Sequence, residues 1–393
     1  MIKPLSQAQM SFGVYFHIPY CLQRCTYCDF ATYVFSEILA PADYVKLVLK
    51  EMDQRQHLFP ARAMDTLYFG GGTPSLLEPA LLEKLILHLE TLGFSRAPGM
   101  EMTIEINPAT LTPEKIEQYI SLGFNRFSVG AQSFNNNLLK SVNRQHSAND
   151  TRETLNLLQK HNLNYNFDIL FALPGQTLED LALDLKVVGE YLPPHISPYC
   201  LTVPEGHPLS KGRPLEDQQV EMFHMIERSL GDLGYNRYEI SNFSLPGKES
   251  RHNSLYWEDQ EYWGIGLSAH SYSKSSKWGH RFWNASNIKE YERQISTTSP
   301  FPAAQEEFLE MHQALTDFCH TSLRMRKGLS EEKLRAKFPD SASLPVISRL
   351  NSLFTKGWVR NDDQHWTLTP QGVLLSNLVF QELTFLANEL SAD

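Results

Sequence analysis

From residue 14 to about residue 240, short apolar runs alternate with stretches of helical periodicity. The runs at 14–18, 66–70, 101–106, 126–130, 165–171 and 196–203 read as strands. The amphipathic stretches at 42–54, 77–92 and 112–123 read as helices, the last with Thr112 as N-cap, Pro113 in its first turn and Gly123 at its end. Six strand–helix repeats imply an α/β fold built on a parallel sheet with right-handed crossovers. The sheet is either open and doubly wound or closed toward a barrel, and in both cases the chemistry sits at the carboxyl ends of the strands.

Beyond residue 203 the pattern loosens. Residues 1–240 are assigned to the α/β domain, 241–303 to an irregular segment rich in Gly, Ser and aromatics, and 304–393 to a smaller C-terminal domain. The latter reads as helices over 304–318, 330–338 and 344–357, a hairpin with a four-residue loop at 362–365, and a final helix over 371–390. Three helices and a hairpin have the outline of a winged helix. Residues 301–393 carry nine Lys+Arg against twelve Asp+Glu, so 9 − 12 = −3, which disfavours a DNA-binding wing and favours a packing or lid domain.

The whole chain carries a formal charge of −10, poorly suited to broad nucleic-acid or anionic-membrane binding. Apolar runs stay well short of the roughly 20 residues of a membrane helix, and the opening residues lack a signal-peptide core. A cytoplasmic location is therefore expected. There, five cysteines, three of them within eight positions, are expected to serve as ligands or redox groups rather than as disulfides.

Those three are Cys21, Cys25 and Cys28, in a loop that follows the first strand. Thiolates favour zinc, copper(I) and iron–sulfur clusters. Structural zinc ordinarily takes four protein ligands, and no second cysteine pair is present. Three cysteines in one short loop would hold three irons of a [4Fe–4S] cluster and leave the fourth open, the plain alternative being a chance group of buried or zinc-binding cysteines. Further motifs also follow strands: "GGGTPS" at 70–75, Glu105 in "TIEINP", Gln132 in "VGAQSF", Arg144 in "NRQH", and Asp168 within "NFDILF". Taken singly, the glycine loop also reads as a tight turn, and Asp168 as half of a structural ion pair with Arg144.

The C-x3-C-x2-C spacing with Tyr27 before the last cysteine resembles the cluster loop of the radical S-adenosylmethionine (SAM) superfamily. That resemblance implies that SAM chelates the open iron and that an electron from the cluster cleaves it to methionine and a 5′-deoxyadenosyl radical. It further implies SAM contacts from Tyr15, Tyr27, Gly71, Gly72, Thr73, Glu105, Gln132, Arg144 and Asp168. The expected architecture is an incomplete (β/α)6 TIM-like barrel with the helical, winged-helix-like C-terminal domain.

"YFHIPYC", "GGGTPS", "VGAQSF", "LPGQT" and "YEISNF" resemble one branch, the oxygen-independent coproporphyrinogen III oxidase-like proteins. This branch contains dehydrogenases of haem biosynthesis and a class of haem chaperones. The dehydrogenases carry a fourth cysteine where this chain has Phe30. "RHNSLYW" at 251–257 resembles the haem-associated motif of the chaperones, implying haem contacts from His252, Asn253, Tyr256 and Trp257. Out of that context, a histidine beside a tryptophan is more often structural. The resemblance thus implies a haem chaperone without coproporphyrinogen dehydrogenase activity, the dehydrogenase being the alternative. It implies a haem-accepting partner protein and an electron donor such as a flavodoxin or ferredoxin, and it allows a homodimer. Two positions depart from the chaperone pattern: Ala172 replaces the usual Gly before "LPGQT", and Pro204–His207 read "PEGH" in place of "EPGT". Cys200 and Cys319 are expected to be small buried residues.

Overall fold

A computed structural model describes residues 11–297 and 305–390. Strands β1 (Phe12–Ile18), β2 (Ala63–Gly71), β3 (Ser95–Ile106), β4 (Arg126–Gln132), β5 (Asn164–Phe171) and β6 (His195–Cys200) lie side by side and parallel. Helices follow each in turn: α1 (Pro41–Arg55), α2 (Pro79–Thr91), α3 (Pro113–Leu122), α4 (Asn136–Ser141) with α5 (Ala148–Lys160), α6 (Leu178–Tyr191) and α7 (Glu216–Asp232). The strands are apolar almost throughout because helices cover the sheet. The caps expected for α3 are present: Thr112 accepts from the Lys115 amide, and Gly123 takes φ 100°.

The segment expected to be irregular after residue 240 is instead ordered. Just before it lies β7 (Asn236–Glu239), and the segment itself contributes β8 (Asn242–Ser244), helix α8 (Arg251–Trp257), β9 (Glu261–Ile265), β10 (His270–Ser273), β11 (His280–Trp283) and helix α9 (Ile288–Ser296). With β12 (Gln305–Phe308), these extend the sheet to the order β12-β11-β10-β9-β1-β2-β3-β4-β5-β6-β8-β7. The apolar core from Phe12 to Ile295 is continuous, so residues 241–296 belong to the first body. Glu51 of α1 joins the two parts. Buried, it accepts from the Gly266 amide at 2.9 Å, Asn284 at 2.7 Å, Tyr291 at 2.5 Å and Arg55 at 2.6 Å. Short aromatic-rich strands interrupted by turns carry little periodicity, which hid them.

The helix expected over 304–318 is also corrected. Residues 305–308 pair with β11, where His280 stacks on Phe308, and α10 runs from Met311 to Arg324. A second core from Ala314 to Leu390 unites α10, α11 (Glu331–Lys337), α12 (Asp340–Thr355) and the hairpin β13 (Val359–Asp362) and β14 (His365–Leu368), whose third strand is Leu329–Ser330. The hairpin loop has two residues rather than four: Asp363 and Gln364 both adopt positive φ, the conformation that matches strand twist. The final stretch breaks into α13 (Pro370–Leu374), α14 (Ser376–Glu382) and a short turn rather than one helix. Among the described residues, no helix is long and apolar enough to cross a membrane.

Candidate functional site

At the carboxyl end of β1 the chain turns outward at Pro19 and returns at Tyr33. Two backbone bonds close this loop, from the Tyr33 amide to Pro19 and from the Phe35 amide to Cys21, both 2.8 Å. Cys21, Cys25 and Cys28 are all free thiols, half-buried on one wall of a cavity of about 580 Å³. Burial pushes the Cys21 thiol up. The Arg144 guanidinium donates to Cys25 Sγ at 3.2 Å and to the Gly130 carbonyl at 2.5 Å. Among the described residues, no three metal-ligating side chains stand preformed around one point. The donor set is nonetheless three soft thiols on a short loop, the chemistry an iron–sulfur cluster takes.

The glycine loop lies directly beneath. The Gly72 and Thr73 amides donate to the carbonyls of Ile18 and Tyr20, which hem the backbone in. A Cβ on Gly71 (φ 109°) would stand 2.5 Å from His17, and one on Gly72 would stand 2.5 Å from the Tyr20 carbonyl. His17 supports the loop from the other side, bonding the Ala31 carbonyl at 3.0 Å and the Tyr15 hydroxyl at 3.1 Å. Burial lowers His17 to about 4, so it is neutral. Tyr15 therefore props the loop and stands off the cavity wall.

Glu105 accepts from the Tyr68 hydroxyl at 2.8 Å and from the Gly71 amide at 3.0 Å. Burial raises it to about 7, against the pull of those bonds and with help from Asp168. Burial also raises Asp168, to about 6, while Ser197, Arg144, Asn166 and Arg126 pull it down. The alternative reading, a structural ion pair between Asp168 and Arg144, is not formed: Arg144 bonds Cys25 and Gly130 instead. Gln132 reaches the cavity from a left-handed backbone (φ 64°) at an irregularity in the β4–β5 ladder. Such strain is common where a side chain must be re-aimed at a site. Tyr27, Gly71, Gly72, Thr73, Glu105, Gln132, Arg144 and Asp168 thus share one cavity with the cysteines.

The "RHNSLYW" residues divide. They form α8, which lies at the opposite, amino-terminal end of the strands, against Gly13, Thr66 and Glu101. His252 is 1% exposed and stacks on Tyr68. Its Nδ1 bonds Thr66 at 2.7 Å and its Nε2 bonds Tyr256 at 2.8 Å, so neither nitrogen is open to a ligand. Burial lowers it to about 3. Tyr256 holds His252, and Trp257 lies under Arg324 of α10. Of the four, Asn253 alone lines the cavity. The expectation of an accessible haem-facing histidine is corrected accordingly: the motif's spacing puts His252 and Tyr256 one turn apart on the inner face of α8.

Among the cavity residues that escaped the sequence reading, three stand out. Cys200, expected to be buried, is exposed on the cavity wall beside Arg213. Arg126 and His195 line the inner end. Both sit at strand starts, where alternation with apolar neighbours was the signal to follow. Cys319 is buried as expected. In the "PEGH" stretch, His207 accepts from the Leu209 amide and caps a short turn.

The parallel sheet, the cysteine loop and the glycine loop define a radical SAM protein. Residues 15–188 match the model of the Radical SAM superfamily, and the fold is shared with a solved structure of Escherichia coli coproporphyrinogen III oxidase (HemN), a radical SAM enzyme, at TM-score 0.83 and 22% identity, over 95% of this chain and 90% of that one. The chain is 34% identical to the haem chaperone HemW of Lactococcus lactis over 96% of its own length and 98% of the relative's. It is 31% identical to the HemW of Bacillus subtilis, over 94% and 98% respectively. The chain belongs to the HemW family of radical SAM proteins. Membership in the superfamily implies a [4Fe–4S] cluster and SAM.

Proposed function

We propose that this protein is a haem chaperone that binds a [4Fe–4S] cluster, SAM and haem and passes the haem to an acceptor protein in the cytoplasm. Its scaffold is read as an incomplete (β/α)6 barrel with a winged-helix-like C-terminal unit, in keeping with six β/α units in one sheet and with three helices beside a three-stranded sheet. Cys21, Cys25 and Cys28 hold the cluster. Gly71, Gly72, Thr73, Glu105, Gln132, Arg144 and Asp168 contact SAM, with Tyr27 beside it and Tyr15 as a support. When bound, the cluster supplies an electron to SAM, delivered by a flavodoxin or ferredoxin.

The observation that carries the reading is Phe30. It is 66% exposed on the cavity wall, two positions after Cys28, where the dehydrogenases place a fourth cysteine. Joined to the near-full-length likeness to haem chaperones, it disfavours coproporphyrinogen turnover. Asn253 is the motif residue positioned to meet haem without rearrangement. His252 reaches iron only after its Nε2 leaves Tyr256.

Anaerobic reconstitution followed by haem titration tests the reading in wild type, His252→Ala and Tyr256→Phe. A stoichiometric Soret band supports it. If His252 ligates iron, Tyr256→Phe tightens binding and His252→Ala shifts or abolishes the band. Absence of specific haem binding, together with conversion of coproporphyrinogen, would transfer the assignment to the dehydrogenase.

A further inference from the structure

The inner end of the cavity carries a guanidinium, Arg126, whose charge favours the ionised form of Asp168 but whose hydrogen-bond donors are only partly used. Arg126 opens β4, is 1% exposed and lines this end. Its Nη1 donates to the Lys248 carbonyl at 3.2 Å, while its Nη2 is buried without a hydrogen-bond partner. The nearest carboxylate, Glu101 at 4.0 Å, is already engaged: it accepts from the amides of Arg251 and His252 and so holds the start of α8. A guanidinium cannot shed its charge, and a buried cation with an idle donor is costly.

The neighbours point the same way. Ser128, Asn166 and His195 form one register row across β4, β5 and β6, all facing this cavity. His195 is 1% exposed; its Nε2 bonds Tyr238 at 2.9 Å, and its Nδ1 has no partner. Ser250 and Asn253, from the start of α8, complete the wall. A parallel sheet normally fills its inner face with apolar side chains, yet here two buried side chains with idle nitrogens stand among amides and hydroxyls.

We propose that this inner end is a carboxylate-binding subsite, with Arg126 as the charged anchor and His195 and Asn253 as flanking polar groups, and that its occupant is a propionate side chain of a tetrapyrrole. The proposal rests on the haem reading and adds to it a specific recognition element, distinct from ligation of iron. It also gives Asn253 a role that does not require His252 to leave its partners. The same chemistry accommodates a small free carboxylate, and the two sources are separable by experiment.

Reconstituted wild type, Arg126→Lys and Arg126→Gln are titrated with haem and with haem dimethyl ester, and their melting temperatures are followed with sodium propionate. A charge-assisted contact predicts that wild type binds haem about tenfold or more tighter than the ester. Arg126→Gln should bind both alike, with Arg126→Lys between them, and the absorbance of the iron–sulfur cluster should be unchanged in all three. Wild type that binds haem and its ester equally overturns the subsite and leaves the haem reading standing; this comparison needs no variant. If wild type binds no haem, the haem reading falls, and propionate decides the subsite. Stabilisation of wild type but not of Arg126→Gln retains it for a free carboxylate, and no stabilisation overturns it.

Discussion

The two ends of the parallel strands solve opposite problems. At the carboxyl ends, loops that could have been tight and apolar are held open: three thiols remain free, three glycines give up their side chains, and Glu105 is half-buried with only a hydroxyl and an amide as hydrogen-bond donors. At the amino ends, α8 closes the interior, and nearly everything finds a partner: both His252 nitrogens, the Glu101 carboxylate and the Tyr256 hydroxyl. The open end is built to receive a ligand, whereas the closed end is built to stay folded. Arg126 and His195 are exceptions at the closed end: each is buried and keeps a side-chain nitrogen without a hydrogen-bond partner.

The largest effect separates the ends by cofactor content. Cys25→Ala removes one of three thiols and should abolish the cluster, read as loss of bound iron and sulfide and of the charge-transfer absorbance. His252→Ala should leave iron content unchanged while lowering the melting temperature, because it empties a buried site and strands the Thr66 and Tyr256 hydroxyls at a cost of about 2–5 kcal/mol. Equal cluster loss in both variants would show that the ends are coupled.

Acid sharpens the contrast. Glu105 is raised to about 7, so its folded form takes up a proton more readily than the unfolded chain. Its contribution is present below the usual glutamate range and is lost as pH rises to 7. His252 is lowered to about 3, so its contribution is present above about 6.5 and is lost as pH falls toward 3. Displacements of this size are worth on the order of 3–5 kcal/mol each. Chemical denaturation of the cluster-free protein from pH 4.5 to 7 should therefore show Glu105→Gln removing a decline with pH and His252→Gln removing a rise. If neither variant changes the profile, the burial argument for both groups is wrong.

A smaller effect falls on the glycine loop. In Gly72→Ala the new methyl meets the Tyr20 carbonyl, and backbone on both sides must shift. Overpacking of this kind costs about 1–3 kcal/mol. SAM affinity, read by isothermal calorimetry on reconstituted protein, should fall by more than stability does, since the same backbone faces the cavity. An unchanged affinity would remove this loop from the SAM site.

Much of the open end was legible from sequence, and the reason is physical. Cysteines, glycines and strand-end carboxylates are costly unless used, so they stand out against an apolar pattern: Cys21, Cys25, Cys28, Gly71, Gly72, Thr73, Glu105, Gln132, Arg144 and Asp168 do line one cavity. The closed end was misread because its residues look reactive and are in fact paired. Nothing in "RHNSLYW" reveals that Thr66, 186 positions away, occupies His252. The order of residues 241–296 is hidden in the sequence because strands of three to five residues leave no periodicity to detect, and their burial comes from distant partners such as Glu51. Cys200 was misplaced for the related reason that it sits at the very end of β6, where alternation ceases to predict burial.

The smallest effect concerns Ala172, the departure from Gly before "LPGQT". Its φ of 60° is the left-handed conformation that explains the usual glycine. For a residue with a Cβ this costs about 1–2 kcal/mol. The methyl is fully buried in the main core, which returns about 0.8 kcal/mol, and alanine restricts the unfolded chain by about 0.4–1 kcal/mol relative to glycine. The opposing contributions nearly cancel. Ala172→Gly should therefore change stability by less than about 0.5 kcal/mol, while Ala172→Val, β-branched at the same φ, should cost about 2 kcal/mol or more. Urea midpoints of the two variants check this. A clearly destabilised Ala172→Gly would mean that the methyl packs better than its strain costs, making alanine here an adaptation of this chain's core.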